Sequence, residues 1–142
     1  IPCLAECGGF LFLHETLQDE NGRDWPMAGI IRGKAFPTGR LSRFGYVEIS
    51  RREDAGPGTA ADSWLAPGEK IRGHEFHYWD STDNGSSCTA VKPDGKRSWN
   101  CIHAEKNFFA GFPHLYLPSC RKFAERFVGK CRNYQKTLPK GD

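Results

Sequence analysis

The chain opens with IPCLAECGGFLFL, an apolar segment interrupted by Cys7 and two glycines, and this pattern limits the folds that the chain can adopt. IPCLA predicts a short buried strand, and ECGG predicts a turn, because consecutive glycines tolerate backbone conformations that other residues resist. Apolar residues then recur at helical spacing, which predicts a helix over FLFLHETLQD. The order strand, cysteine-bearing turn, helix is typical of open α/β sheets, in which sites collect at the carboxyl ends of strands.

The middle of the chain is predicted to be mainly β. MAGIIRGKAF, FGYVEISRR and KIRGHEFHYWD are strand-like, and a Gly/Pro-rich loop is expected over 55–69. STDNGSSCTAVKPDGKRSW predicts a hairpin that turns at Asp94-Gly95. NFFAGFPHLYLP is an apolar segment that contains His114, and CRKFAERFVGKCRNY predicts an amphipathic helix. We therefore expect a mixed α/β fold whose sheet starts at the strand before Cys7, as part of a larger domain.

Composition excludes several function classes. The 142 residues suit one domain, and a net charge of +3 is too small to predict binding to nucleic acid or to an anionic membrane. No apolar run has the length of a transmembrane helix. Six cysteines would allow three disulfides, but the composition favours free thiols in a cytoplasmic protein. Cys3 and Cys7 have no partner pair at zinc spacing, so no metal site is expected.

Cys7 is the candidate nucleophile. A cysteine between a strand and a helix projects from the strand tip and lies near the positive end of the helix, which we expect to favour the thiolate. Gly8 and Gly9 leave room for a substrate, and the backbone N–H of Gly8 is a candidate oxyanion donor. The alternative is an inert buried cysteine followed by two turn glycines.

A nucleophilic cysteine needs a base, and the chain has five histidines. From the pattern alone His114 and His74 are equal candidates, whereas His14 is expected on the surface or in the core. Glu75, in GHEF, is a candidate orienter of the base or a ligand contact. Its alternative, which we favour, is a strand carboxylate paired with Arg72 or with a nearby backbone N–H.

The motifs AECGG, GYVE, RGHEFHY, HLY and FAERFV, in this order, resemble the C-terminal half of the glutamine amidotransferase domain of the cobyrinic acid a,c-diamide synthases. The resemblance runs from Pro2 to about Cys131. It implies a partial class I-type, flavodoxin-like amidotransferase domain over residues 1–142, with the N-terminal βα units and the ATP-binding synthetase domain outside the sequence.

The resemblance also implies residue roles. Cys7 would attack the side-chain amide of glutamine, and His114, which opens the family's HLHF segment, would be the base. The glutamyl thioester would be hydrolysed, and ammonia would pass to the synthetase domain, which uses ATP and Mg²⁺ to amidate the a and c carboxylates of a corrinoid precursor in cobalamin biosynthesis. Tyr116 replaces the second histidine of that segment. No carboxylate follows His114 closely, and the resemblance to the cobyrinate branch of the family implies a Cys–His dyad.

Other interpretations stay open at this stage. Cobyric acid synthase and a nickel-tetrapyrrole a,c-diamide synthase share this architecture, and a non-catalytic α/β interaction module would retain the turn without the chemistry. No G-x-x-x-x-G-K-[ST] motif occurs in the chain. Because the glycine-rich loop that completes the family's oxyanion hole precedes Cys7, we expect this piece alone to be a poor glutaminase and to self-associate as a homo-oligomer.

Overall fold

The computed structural model of the chain describes residues 1–52, 54 and 59–139. Within them, the strands form three sheets, with one short and one long α-helix. In chain order the elements are β1 (Cys3–Glu6), α1 (Gly8–Phe12), β2 (His14–Gln18), β3 (Asp24–Pro26), β4 (Ile31–Pro37), β5 (Arg43–Arg51), β6 (Lys70–His77), β7 (Trp79–Ser81), β8 (Cys88–Val91), β9 (Ser98–Cys101), β10 (His103–Ala104), β11 (Phe108–Gly111), β12 (His114–Tyr116) and α2 (Arg121–Gln135).

The sheet that carries the opening strand has the order β1-β11-β10. β1 and β11 are parallel, with Glu6 opposite Gly111, while β10 runs antiparallel to β11. Because β1 and β11 are parallel, both end at the same edge of the sheet. Cys7 follows β1 at that edge, and only two residues separate the end of β11 from His114.

The second sheet is antiparallel, with the order β12-β6-β5-β8-β9. The predicted hairpin is confirmed, since β8 and β9 are joined by a turn in which Gly95 has a φ of 69°. One face of this sheet packs on the main core, which also takes in Phe109 of β11 and Phe123 of α2. The rings of Phe109 and Phe123 lie 5.0 Å apart, and that of Phe123 lies 5.9 Å from Trp64.

The helix predicted over FLFLHETLQD is largely wrong. Only Gly8–Phe12 is helical, and His14–Gln18 is strand β2, parallel to β4 in a sheet of order β3-β2-β4-β7. The backbone C=O of Leu13 accepts the N–H groups of Ile30 and Ile31, at 2.9 and 2.8 Å. Pairing with β4 thus replaces helical hydrogen bonds from this point, so tertiary contacts override the local apolar spacing.

Two further predictions about the fold are confirmed. The fold is mixed α/β, and the C-terminal amphipathic helix is present as α2, with Phe123 buried on its core face. The loop expected over 55–69 falls partly on residues 55–58, which lie outside the described residues. Its described remainder contains a 3-10 helix at Ala60–Ser63 and inserts Trp64 and Leu65 into the core. All six cysteines are free thiols, and no described helix has the length and apolarity needed to cross a membrane.

Candidate active site

Cys7 occupies a sharp turn between β1 and α1, as the sequence predicted. Its backbone N–H donates to the C=O of Gly111 at 3.0 Å, which extends the parallel pairing by one residue. Its C=O accepts the N–H of Leu11 at 2.9 Å, the first hydrogen bond of the helix. The residue has φ 45° and ψ −106°, a conformation in which non-glycine residues are strained. Two hydrogen-bonded neighbours therefore hold a half-buried thiol on a strained backbone.

The role expected of the two glycines changes with the structure. The positive φ of the turn belongs to Cys7, and neither Gly8 nor Gly9 has one. A Cβ built on Gly8 would meet nothing within 4 Å, and one on Gly9 would touch only the Cβ of Ala5 at 3.5 Å. The space next to the Gly8 backbone is thus open, which leaves its N–H a candidate oxyanion donor.

The expected thiolate preference at Cys7 is wrong for the chain as it stands. Burial raises the pKa of the Cys7 thiol, the N–H of Gly8 opposes this by hydrogen bonding to the sulfur, and the carboxylates of Glu75 and Glu6 raise the pKa further. Helix α1 has only five residues, so its dipole is too short to dominate burial and two carboxylates. A nucleophilic Cys7 therefore has to lose its proton to a base during the reaction.

His114 lies at the same edge as Cys7. It opens β12, directly opposite His74 in β6, and half of its side chain is exposed. Its Nδ1 lies 3.5 Å from Oε2 of Glu6, the residue that precedes Cys7. Oε1 of Glu6 accepts the backbone N–H of Leu115 at 3.1 Å. The residue directly before Cys7 in the chain thus contacts the imidazole of His114 through its side chain.

Glu6 is the functional candidate that sequence reasoning missed. In the sequence, the residues directly after His114 are Leu115, Tyr116 and Leu117, so no carboxylate follows it closely. The available signal was the E of the AECGG motif itself, which is a polar residue at the end of an otherwise apolar strand. Parallel pairing of β1 with β11 brings it to a residue more than 100 positions away.

Glu75 has different partners from those expected. Its side chain is fully buried, with Oε2 3.1 Å from Nε2 of His77 and Oε1 accepting the indole N–H of Trp99 at 3.3 Å. Arg43 lies 3.9 Å away. Pairing with Arg72 or a backbone N–H is therefore replaced by this buried network, and the carboxylate that approaches His114 is that of Glu6. Contact between Glu75 and a ligand stays a prediction.

The other candidate histidines differ in their surroundings. His74 and His114 both line an open groove of about 990 Å³, whose walls also include Tyr46, Arg72 and Tyr116; Cys7 is not part of its lining. His14 is fully buried, with Nδ1 2.9 Å from the C=O of Phe10 and Nε2 2.6 Å from Oγ of Ser81. Both of its nitrogens are thus used inside the fold. No group of three metal-ligating side chains occurs among the residues that the structure describes.

Comparison with known proteins identifies a family whose sequences this chain resembles. A model of the CobB/CobQ-like glutamine amidotransferase domain matches residues 1–121. Curated relatives include the cobyrinate a,c-diamide synthases of Fusobacterium nucleatum, 38% identical over 127 residues, and of Salmonella typhimurium, 35% identical over 137 residues. These alignments cover 86% and 93% of this chain but 26% and 28% of the relatives. The synthase of Caldanaerobacter subterraneus is 31% identical over 94% of this chain and 28% of its own length.

Proposed function

The chain belongs to the CobB/CobQ-like glutamine amidotransferase domain family, and from that premise we propose that it performs the glutaminase half-reaction of an ATP-dependent amide ligase. In this reaction Cys7 is the nucleophile and His114 the base. Gly8, with Gly9 beside it, supplies backbone N–H groups to the oxyanion. Glutamine is the substrate, and glutamate and ammonia are the products.

The proposed reaction is a hydrolysis in two stages, in which Cys7 is acylated and then released. The Cys7 thiol gives its proton to Nε2 of His114 while the sulfur attacks the carboxamide carbon of glutamine. The C–N bond then breaks as Nε2 returns the proton to the leaving nitrogen, which departs as ammonia. Water attacks the resulting glutamyl thioester, the imidazole accepts a proton from this water, and Cys7 regains its thiol as glutamate leaves. The sum is glutamine plus water to glutamate plus ammonia.

The backbone at Cys7 supports this assignment most strongly. A strained non-glycine residue between a parallel strand and a helix is the arrangement that presents a nucleophile in other strand-turn-helix sites. A Cβ on Gly8 would meet nothing within 4 Å, so no packed side chain blocks the backbone next to Cys7 at this point. The raised pKa of Cys7 makes a base at this edge necessary, and His114 has an exposed ring there.

The destination of the ammonia is proposed from the relatives. The chain spans about a quarter of the length of the curated relatives described above, and each of those three bears the name cobyrinate a,c-diamide synthase. We propose that the ammonia serves a cytoplasmic synthetase domain outside residues 1–142, where ATP and Mg²⁺ would activate the a and c carboxylates of cobyrinic acid or its hydrogenobyrinic form. A different tetrapyrrole would change the synthetase chemistry but not the roles of Cys7 and His114.

A diazo-ketone analogue of glutamine tests the glutaminase proposal. We expect it to label Cys7 in the native chain in preference to the other five thiols, and free glutamine to slow that labelling. Mass spectrometry of the intact chain gives the number of adducts, and peptide mapping gives their positions. Plain iodoacetamide, applied in parallel, measures the intrinsic reactivity of each thiol.

Cys3 provides the matched control, because it opens the strand that Cys7 follows and is similarly half-buried. Cys3→Ser should leave the labelling unchanged, whereas Cys7→Ser and His114→Ala should abolish it. Equal labelling of Cys3 and Cys7 by the analogue, or labelling that glutamine does not slow, would contradict the proposal and favour a non-catalytic module.

A further inference from the structure

We propose that Glu6 is a positioning residue for His114, and that its carboxylate accepts the Nδ1–H and so keeps Nε2 free to take the proton of Cys7. This inference rests on the proposed function, in which His114 is the base. It replaces the expected Cys–His dyad by a triad of side chains, whose third member is the residue directly before the nucleophile.

The contacts of Glu6 carry the inference. Its two carboxylate oxygens face successive residues of β12: Oε1 accepts the N–H of Leu115 at 3.1 Å, and Oε2 lies 3.5 Å from Nδ1 of His114. The Leu115 hydrogen bond fixes the carboxylate, so its second oxygen has a defined position relative to the imidazole. About 30% of the Glu6 side chain is exposed, so the group is screened only in part.

The chemistry of the two groups decides the tautomer. An ionised carboxylate only accepts hydrogen bonds, so the nitrogen that faces Glu6 has to be the one with hydrogen. A neutral imidazole with hydrogen on Nδ1 has its lone pair on Nε2, which is the form a base requires. The 3.5 Å separation is an ion-pair distance, and such catalytic contacts commonly shorten to hydrogen bonds when substrate binds.

Other nearby groups are poorly placed for this role. Glu75 is committed to His77 and Trp99 in the interior. His74, opposite His114 across the strand pair, has its ring edge-on to Phe44 and Tyr46, at centroid distances of 5.7 and 5.4 Å. Among the residues that the structure describes, the carboxylate within ion-pair distance of the His114 ring is that of Glu6.

During the reaction Glu6 does not exchange a proton. As Nε2 takes the Cys7 proton the ring becomes an imidazolium, and the carboxylate stabilises this positive charge at the moment it forms. When Nε2 gives the proton to the departing ammonia, the ring returns to the tautomer with hydrogen on Nδ1. Glu6 therefore acts through His114 and never touches the substrate.

Glu6→Gln is the informative substitution. A glutamine at this position still accepts the Leu115 N–H through its carbonyl, but it then presents an NH₂ group to His114. We expect the ring to switch to hydrogen on Nε2. Labelling of Cys7 by the diazo-ketone analogue should slow by a factor on the order of 10² or more. Glu6→Asp, which keeps an acceptor, should retain the tautomer and part of the labelling rate.

Glu15→Gln is the matched control, because Oε2 of Glu15 also accepts a backbone N–H, that of Gly33 at 2.8 Å, in a different sheet. It should leave both the labelling rate and the His114 tautomer unchanged. The tautomer is read from a nitrogen–proton correlation NMR spectrum of the histidine rings, with His114 assigned by its loss in His114→Ala. Circular dichroism checks that each variant is folded.

The outcomes separate the two proposals. If Glu6→Gln is folded and its Cys7 is labelled at the wild-type rate, the role of Glu6 is refuted while the glutaminase proposal stands. If wild-type Cys7 is not labelled selectively, the glutaminase proposal fails first. The wild-type tautomer still tests Glu6 in that case, and also if Glu6→Gln does not fold: hydrogen on Nε2 of His114 in the wild-type chain would refute the inference.

Discussion

Substitution of Cys7 by glycine and by alanine measures how much strain the turn holds. Both changes remove the sulfur, so their difference in stability reports on the backbone at φ 45° and ψ −106°. A non-glycine residue in such a region costs roughly 1–3 kcal/mol, and glycine is free of most of that cost. Glycine in turn loses roughly 0.5–1 kcal/mol relative to alanine, because its unfolded chain is more flexible. We therefore expect Cys7→Gly to be more stable than Cys7→Ala by about 1 kcal/mol.

The assay is thermal and urea unfolding of the two variants under reducing conditions, followed by circular dichroism. For a chain of 142 residues, about 1 kcal/mol corresponds to about 3 °C in Tm. Cys131, which is half-buried within helix α2, supplies the control pair. There the order should reverse, with Cys131→Ala more stable than Cys131→Gly by about 1 kcal/mol. A Cys7→Gly variant that melts at or below Cys7→Ala would refute strain at the turn.

Three further predictions follow from other contacts. Gly73→Ala puts a Cβ 2.9 Å from the backbone oxygen of His114, so it should lower the free energy of unfolding by about 1–3 kcal/mol and slow the labelling of Cys7. Gly129→Ala on α2 has open space around it, so it should neither lower the free energy of unfolding nor slow the labelling. Hydrogen bonds from Arg126 lower the pKa of the Glu69 carboxyl in the folded chain. At neutral pH, Glu69→Gln should therefore lower the free energy of unfolding by about 1 kcal/mol, and this difference should disappear as the pH falls through the lowered pKa of Glu69. Urea titrations at successive pH values measure it, and a constant difference down to about pH 2 would contradict the prediction. Burial raises the pKa of Cys88 to about 12 and that of Cys101 well above its ordinary range, so iodoacetamide at about pH 8 should spare both until denaturant is added; native-state modification of either would count against their burial.

The local residue pattern was enough to predict those elements whose conformation depends on residues close together in the sequence. The Cys7 turn, the hairpin at Gly95 and helix α2 each depend on a few neighbouring residues whose backbone preferences or apolar spacing are legible in the sequence. His114 also stood among the candidates, because it follows a buried apolar segment. The prediction failed at His14–Gln18, where pairing with β4 prevailed over a helix-like spacing.

The amino-acid pattern alone shows that a cysteine follows a buried strand at a tight turn, and it predicts a mixed α/β fold. The surroundings of that cysteine depend on how distant segments pack. The parallel pairing of β1 with β11 brings His114 to the turn, and the direction of one side chain makes Glu6, rather than Glu75, its carboxylate neighbour. These contacts join residues about a hundred positions apart, and their distances depend on sheet register and burial, which no local pattern specifies. For the same reason the pKa of Cys7 is raised: burial and two carboxylates act on the sulfur through space, and a five-residue helix cannot offset them.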